Sequence, residues 1–240
     1  LIQKEMDRHT PPFRLSINHA FALVYIDGLS NCETFVLQAL YNSRKFPCPY
    51  IGGSAGGKLD FKNTYIYDNE QVVENHAVIT FVRLTKPYRY GILKTQAAER
   101  TGDVYTVVRA NTSLRYIQTV EDAHGQSISF IKALCQHFGC HSADELSKVL
   151  QDYTFATNVN GENFIRSVAS VDEANDHINF FCDVVAGEKL YLLKRTSLAD
   201  NLKKELQNFV QGKPAPIGGI LNDCILRRLG YPQEISHIDL

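Results

Sequence analysis

Phe21-Ala22-Leu23-Val24-Tyr25-Ile26 is a continuous apolar run of strand length, closed by Asp27-Gly28. Such a run, bounded by a turn signal, reads as a buried strand. Ser30 follows, with Glu33 three residues on, the pattern by which two side chains satisfy the free N–H groups of a helix start. Phe35, Val36, Ala39 and Leu40 recur at helical spacing, which predicts an amphipathic helix over residues 31–43. Pro47 and Pro49 forbid its continuation. The chain then enters Cys48-Pro49-Tyr50-Ile51-Gly52-Gly53-Ser54-Ala55-Gly56-Gly57, with four glycines in ten residues. Glycines this dense free the backbone to take positive φ and leave its N–H groups uncovered, so the corner can receive a polar or anionic group. It reads equally as a tight turn with no ligand. Lys58 and Leu59 follow Gly57, so the spacing is not that of a nucleotide phosphate loop.

Beyond this corner the period changes to two. Thr64–Tyr67, Val72-Val73 and Ala77–Val82 read as a hairpin turning at Asp68-Asn69-Glu70, and Arg89–Lys94, Val104–Arg109 and Leu114–Ile117 as further strands of an antiparallel meander. Ile128, Ile131, Leu134, Cys135 and Phe138 make one helical face, ended at Gly139, and Ser142 with Glu145 opens a short helix. Strands return at Thr154–Thr157, Phe164–Val168, Ile178–Cys182 and Leu190–Lys194. Ser197 caps a last helix with Leu198, Leu202, Leu206, Phe209 and Val210 inside.

After that helix comes Pro214-Ala215-Pro216-Ile217-Gly218-Gly219, an echo of the first corner. Ile51 lies 21 positions after Ser30, and Ile217 lies 20 after Ser197. Two copies of a strand–helix–strand unit are expected, each with its strands parallel through a right-handed crossover. The fold class expected is α+β: mixed, mainly antiparallel sheets with packed helices and two pseudo-repeated units. Ligands of such sheets tend to sit beyond the carboxyl ends of the strands, where both Ile-Gly-Gly segments would lie.

The 240 residues are 44% hydrophobic and 21% charged with net charge −1, and no Lys/Arg stripe supports nucleic-acid binding. No apolar run approaches the roughly 20 residues that span a bilayer. The N-terminus lacks the charge pattern of a secretory signal and does not begin with Met, so the chain reads as a fragment or a trimmed piece. Six cysteines without a C-x-x-C pair are read as reduced, in a cytoplasmic compartment. Cys135, His137, Cys140 and His141 cluster, but their spacing is not that of a zinc finger, and a helix end with ordinary polar residues is the plainer reading.

No catalytic set stands out, and the chain is not expected to be an enzyme. Ser54 lacks the flanking glycine spacing of an esterase elbow. Asn222, Asp223, Cys224, Arg227 and Arg228 form the polar group that stands out, and Asn222 and Asp223 interrupt an apolar run from Ile217 to Leu226, which costs free energy unless they are paired. Asp223 and Arg227 suit an internal helical ion pair, and they suit equally the ammonium and carboxylate of a bound amino acid.

Tyr25-Ile26-Asp27-Gly28-Leu29, Ile51-Gly52-Gly53-Ser54-Ala55-Gly56-Gly57 and Gly219-Ile220-Leu221-Asn222-Asp223-Cys224-Ile225-Leu226-Arg227 together resemble the FIST-domain family of bacterial sensory modules. Residues 18–110 resemble the second half of the FIST N-terminal region, so 1–110 is assigned to a partial N-terminal region and 111–240 to the C-terminal region. The acid that follows this glycine motif in the family is replaced by Gly57, and its role is not carried over. The resemblance also implies a strand-rich segment before, and a glycine-bearing strand after, the stretch given. It implies a cytoplasmic input domain for a small ligand, an amino acid or related carboxylate. The partner would be a chemoreceptor or histidine-kinase output module in the same or another chain, with chemotaxis among the outputs. The ligand residues expected are Gly52, Gly53, Ser54, Ala55, Gly56, Asn222, Asp223, Cys224 and Arg227. Two alternatives stand beside it: a haem-based nitric-oxide sensor, with His76 or His137 as axial ligand, and a hydrolase using Ser54 or Cys224.

Overall fold

The computed structural model describes residues 1–57, 62–122 and 124–235. The chain divides into two compact units, one made of 1–93 with 215–226 and the other of 94–214 with the described residues from 227 on. The α+β class, with mainly antiparallel sheets and packed helices, is what the structure has.

The first unit opens with α1 (Ile2–Arg8), β1 (Ala20–Asp27), α2 (Glu33–Ser43) and β2 (Tyr50–Ala55). It continues with β3 (Ile66–Tyr67), β4 (Val72–Val73) and β5 (Ala77–Arg83). β1 is central in a three-stranded sheet, parallel to β2 and antiparallel to β5. The β1–α2–β2 crossover is thus the parallel unit expected from the sequence. Side chains alternate across a strand, so Ala20, Ala22, Val24 and Ile26 share one face and are buried. They meet Val36 and Leu40 of α2, with Leu15 and Phe46 closing the core. Phe35, expected on the inner face of α2, is 60% exposed, because the buried stripe runs through Val36, Ala39 and Leu40 instead.

The helix start also departs from expectation. Cys32 is the N-cap of α2 and makes no side-chain cap hydrogen bond. The Ser30 hydroxyl is spent on the carbonyl of Asp27, Asn31 takes a left-handed φ of 51°, and Glu33 accepts from Ser54 at 3.0 Å. The tight turn after β1 thus consumes the groups that a capping box would have used.

The second unit contains β6 (Ala98–Asn111), β7 (Tyr116–Glu121), β8 (Ser127–Ser129), α3 (Phe130–Phe138) and α4 (Ala143–Val149). Then follow β9 (Tyr153–Val159), β10 (Glu162–Arg166), β11 (Val168–Asp172), β12 (His177–Phe180) and β13 (Lys189–Arg195). The last described elements are α5 (Leu198–Val210), α6 (Ile225–Gly230), at whose start the two units divide, and α7 (Pro232–Ile235). Its sheet runs β10-β9-β13-β6-β7-β12-β11, so consecutive strands β10 and β11 lie at opposite ends of the order. Only Ser167 separates them, and one residue spans less than about 4 Å of chain. The sheet must therefore be rolled so that its two ends meet at Ser167, whose carbonyl accepts from Phe181 N–H at 3.0 Å. Rolling removes the long free edges that an open sheet presents. Phe155 of β9 and Phe180 of β12 come from opposite halves, yet their rings stand 6.2 Å apart inside the roll. Phe130 of α3 packs on Phe155 and Tyr105 at 5.5 Å each.

Ser142 and Ser197 cap α4 and α5 as their positions predict, and Gly139 ends α3 in the left-handed region. The Ser197 hydroxyl accepts from Asp200 N–H at 3.2 Å and donates to Glu234 at 3.0 Å. Ser197→Ala is expected to lower stability by about 1 kcal/mol, read from the urea midpoint. Two predicted strands do not form. Residues 89–94 are irregular, with the Tyr90 hydroxyl bonded to the carbonyls of Ile17 and Ala20. Residues 213–224 are irregular as well, so the second strand–helix unit lacks its closing strand.

Candidate functional site

The two faces of the β2-β1-β5 sheet have different fates. The even-numbered side chains of β1 are buried beneath α2. Residues in register share a face, so Tyr25 lies with Gly53 of β2 and Val78 of β5 on the other side. There the sheet and the β3 segment border an open pocket of about 320 Å³. Tyr25, Tyr65 and Tyr67 line it, with Ala55, Val78 and Thr80 on the sheet and Ile66 beside them. Tyr65 and Tyr67 are 54% and 62% exposed and form the rim. The volume falls in the range of small-molecule sites.

The Ile51-Gly52-Gly53 segment lies inside β2 rather than in a loop beyond it. Gly52 is required there: a Cβ on it would stand 1.8 Å from the carbonyl oxygen of Val24, at a φ of 153°. Gly57 has a φ of 57°, and its Cβ would crowd the Asn63 carbonyl at 2.4 Å. Gly53 and Gly56 face open space, where an added Cβ meets nothing within 4 Å. The glycine cluster therefore divides into residues that the backbone needs and residues that leave room. Ser54 points to the helix side, where its hydroxyl donates to Glu33.

The second motif reaches the same strand. The Tyr25 hydroxyl donates to Asn222 Oδ1 at 2.9 Å, joining positions 197 residues apart within the first unit. Asp223 and Cys224 are exposed and precede α6, which begins at Ile225, so Asp223 and Arg227 are not one turn apart within a helix. Arg227 belongs to the second unit, where its guanidinium donates to the carbonyl and, at 2.9 Å, to the hydroxyl of Thr95. Of the nine ligand residues expected from the sequence, Ala55 lines the cavity, and Asn222 is bonded to a residue that does.

Asp27 supports this end of the sheet and was not singled out by sequence. It is 3% exposed, and it accepts from the Thr64 hydroxyl, Leu29 N–H at 2.9 Å and Asn75 N–H at 2.5 Å. Burial pushes its carboxyl pKa up, but the Thr64 hydroxyl, the two backbone donors and His76 outweigh that and hold it below the ordinary carboxylate value. The bonds to Thr64 and Asn75 tie the chain on either side of β3 and β4 to the end of β1, and so fix the rim of the cavity. The signal for Asp27 was a carboxylate closing an apolar run, which reads as a turn residue until its three donors are seen.

Neither His76 nor His137 lines the cavity, and the hydroxyls of Tyr25 and Tyr67 are committed as donors to Asn222 and to the Asn69 carbonyl. Among the described residues, no three His, Cys, Asp or Glu side chains are grouped to hold a metal ion, the cluster at Cys135–His141 included.

Family models match nearly the whole chain: the FIST N domain over residues 2–122 and the FIST C domain over residues 128–239. The chain is a FIST-domain protein. No match to this FIST protein was found among curated proteins or among solved structures. FIST domains are sensory domains of signal-transduction proteins that bind small ligands and work with signalling output modules. The family is one of ligand-binding sensors and not a known enzyme family. Among the described residues no helix is long and apolar enough to cross a membrane.

Proposed function

We propose that this protein is a cytoplasmic sensory input domain that binds an amino acid or related carboxylate in the tyrosine-lined cavity of its first unit. The reading extends to bacterial signalling, chemotaxis included, through a chemoreceptor or histidine-kinase output module. The observation that carries it is the meeting of both family motifs at Tyr25: Gly53 lies in register beside it, Asn222 accepts its hydroxyl proton, and the cavity opens on the face it shares with Ala55. An added Cβ at Gly53 or Gly56 would meet nothing within 4 Å, which leaves room for a ligand's carboxylate on that side of β2. Asp223 and Cys224, which follow Asn222 in the same unit, remain proposed ligand contacts, whereas the Ser54 hydroxyl lies on the α2 face of the sheet and is not assigned to this cavity.

The experiment is a thermal-shift screen of amino acids and small carboxylates, run in parallel on Ala55→Leu. Ligand at about 100 times Kd is expected to add roughly 2.7 kcal/mol to the wild-type stability. Ala55→Leu fills the cavity from the sheet side, so it is expected to keep its own melting temperature within about 3 °C and lose the ligand shift. A ligand shift of equal size in both proteins would place the site elsewhere.

A further inference from the structure

The turn that ends α3 brings two thiols of the second unit together. Gly139 follows α3 in the left-handed region, with a φ of 69°. The turn it makes sends the N–H of Cys140 back to the carbonyl of Cys135 at 2.9 Å. In this kind of helix ending the side chains at the two ends of the closure come into contact. Standard bond lengths place the two Cα atoms at most about 6.8 Å apart across that bond, and closer once its bends are counted, inside the range that a disulfide bridges. Both cysteines are partly buried, and both pack against the apolar cluster that contains Phe130, Leu134 and Leu146. Burial, and after it the charge that Cys140 would carry, push the Cys135 thiol up, so the two sulfurs are electrostatic neighbours. His137, between them in sequence, is engaged elsewhere: its Nε2 stands 3.8 Å from Asp103, and its ring meets Tyr105 edge-on. Among the described residues no third side chain joins the thiols to hold a metal.

Reversible oxidation is the chemistry open to such a pair. We propose that Cys135 and Cys140 form an intramolecular disulfide, closed by exchange with a small disulfide such as oxidised glutathione, which makes the end of α3 a redox site. One thiolate attacks the small disulfide, forms a mixed disulfide and releases one glutathione thiol; the second thiolate then displaces the other. Each closure passes two electrons from the pair to the small disulfide, and the two thiol protons end on the glutathione released. The link pins the last turn of α3, a helix that buries Phe130, Ile131 and Leu134, to the residues that lead into α4. The site lies in the second unit and does not depend on the pocket of the first.

The test equilibrates the full chain with graded mixtures of reduced and oxidised glutathione, quenches with acid and alkylates the remaining thiols. The tryptic peptide from Ala133 to Lys148, which holds both cysteines, is then weighed. The expected product lacks the mass of two hydrogens and carries neither an alkyl group nor glutathione, and excess dithiothreitol restores both thiols. Half-closure is expected in a mixture at least about tenfold more reducing for the native protein than for the protein in denaturing urea, since the native turn holds the sulfurs together. Cys140→Ser is expected to leave Cys135 without a protein partner in the same mixtures. Equal midpoints in native protein and in urea, or a native pair that stays alkylated in mixtures that close it in urea, would overturn the proposal. So would a disulfide from Cys135 to another cysteine that persists in Cys140→Ser.

Discussion

Gly52→Ala is expected to destabilise the protein by about 4 kcal/mol, at the large end of single substitutions, whereas Gly53→Ala should change stability by less than about 1 kcal/mol. The two glycines are adjacent in sequence and in the same strand. They differ in what a methyl group would meet. At Gly52 it would stand 1.8 Å from the Val24 carbonyl oxygen, inside the parallel β1–β2 pair, and neither backbone can yield without breaking that pairing. The φ of 153° adds strain for any L side chain. At Gly53 the methyl enters open space. Chemical denaturation of the two variants measures the contrast. Near-equal midpoints would mean that β2 does not run so close to β1.

Asp27→Ala carries the second large effect, about 3 kcal/mol, since two backbone N–H groups and the Thr64 hydroxyl lose their acceptor in a buried site. Asp27→Asn keeps the shape and isolates the charge. The carboxyl pKa is lower folded than unfolded, so its contribution is fully present above the unfolded value of about 4 and disappears as pH falls through the folded value. The stability gap between wild type and Asp27→Asn is therefore expected to be constant from neutral pH down to about pH 5 and to shrink below about pH 4. Denaturation curves at pH 7, 5, 4 and 3 give this directly. A gap that widened on acidification would contradict the hydrogen-bonded carboxylate.

Local rules carried much of the fold. β1, α2 and the parallel return into β2 follow from an apolar run, a 3.6-residue period and two prolines. The caps at Ser142 and Ser197 formed because nothing else competed for those hydroxyls. Ser30 failed as a cap because the Asp27 carbonyl lay nearer, a fact of the turn that spacing alone does not carry. Rolling of the second sheet was not legible either. Nothing local in Arg166-Ser167-Val168 announces that its two sides pair with strands from opposite ends of one order.

The site was half legible for a related reason. Glycine and Asn-Asp-Cys patterns drew attention to Gly52–Gly56 and Asn222, and the second of these meets the first through Tyr25. Tyr65 and Tyr67 carry no signal in the sequence beyond that of strand residues, and Tyr25 stands out only as the start of its family motif, since an aromatic side chain looks the same in a core as in a pocket wall. Their convergence depends on the antiparallel β5 and on the segment anchored by Asp27, both long-range features.

In the proposed function, ligand enters the pocket at Tyr25, Tyr65 and Tyr67. The chain has 12 tyrosines, and Tyr105, Tyr116, Tyr153, Tyr191 and Tyr231 belong to the second unit. Fluorotyrosine labelling with ¹⁹F NMR reads them one by one, each resonance assigned by a Tyr→Phe variant. Titration with ligand is expected to move the resonances of Tyr25, Tyr65 and Tyr67 saturably and to leave Tyr105, Tyr153 and Tyr191 in place. Saturable shifts confined to the second-unit tyrosines, with those three unmoved, would contradict the claim.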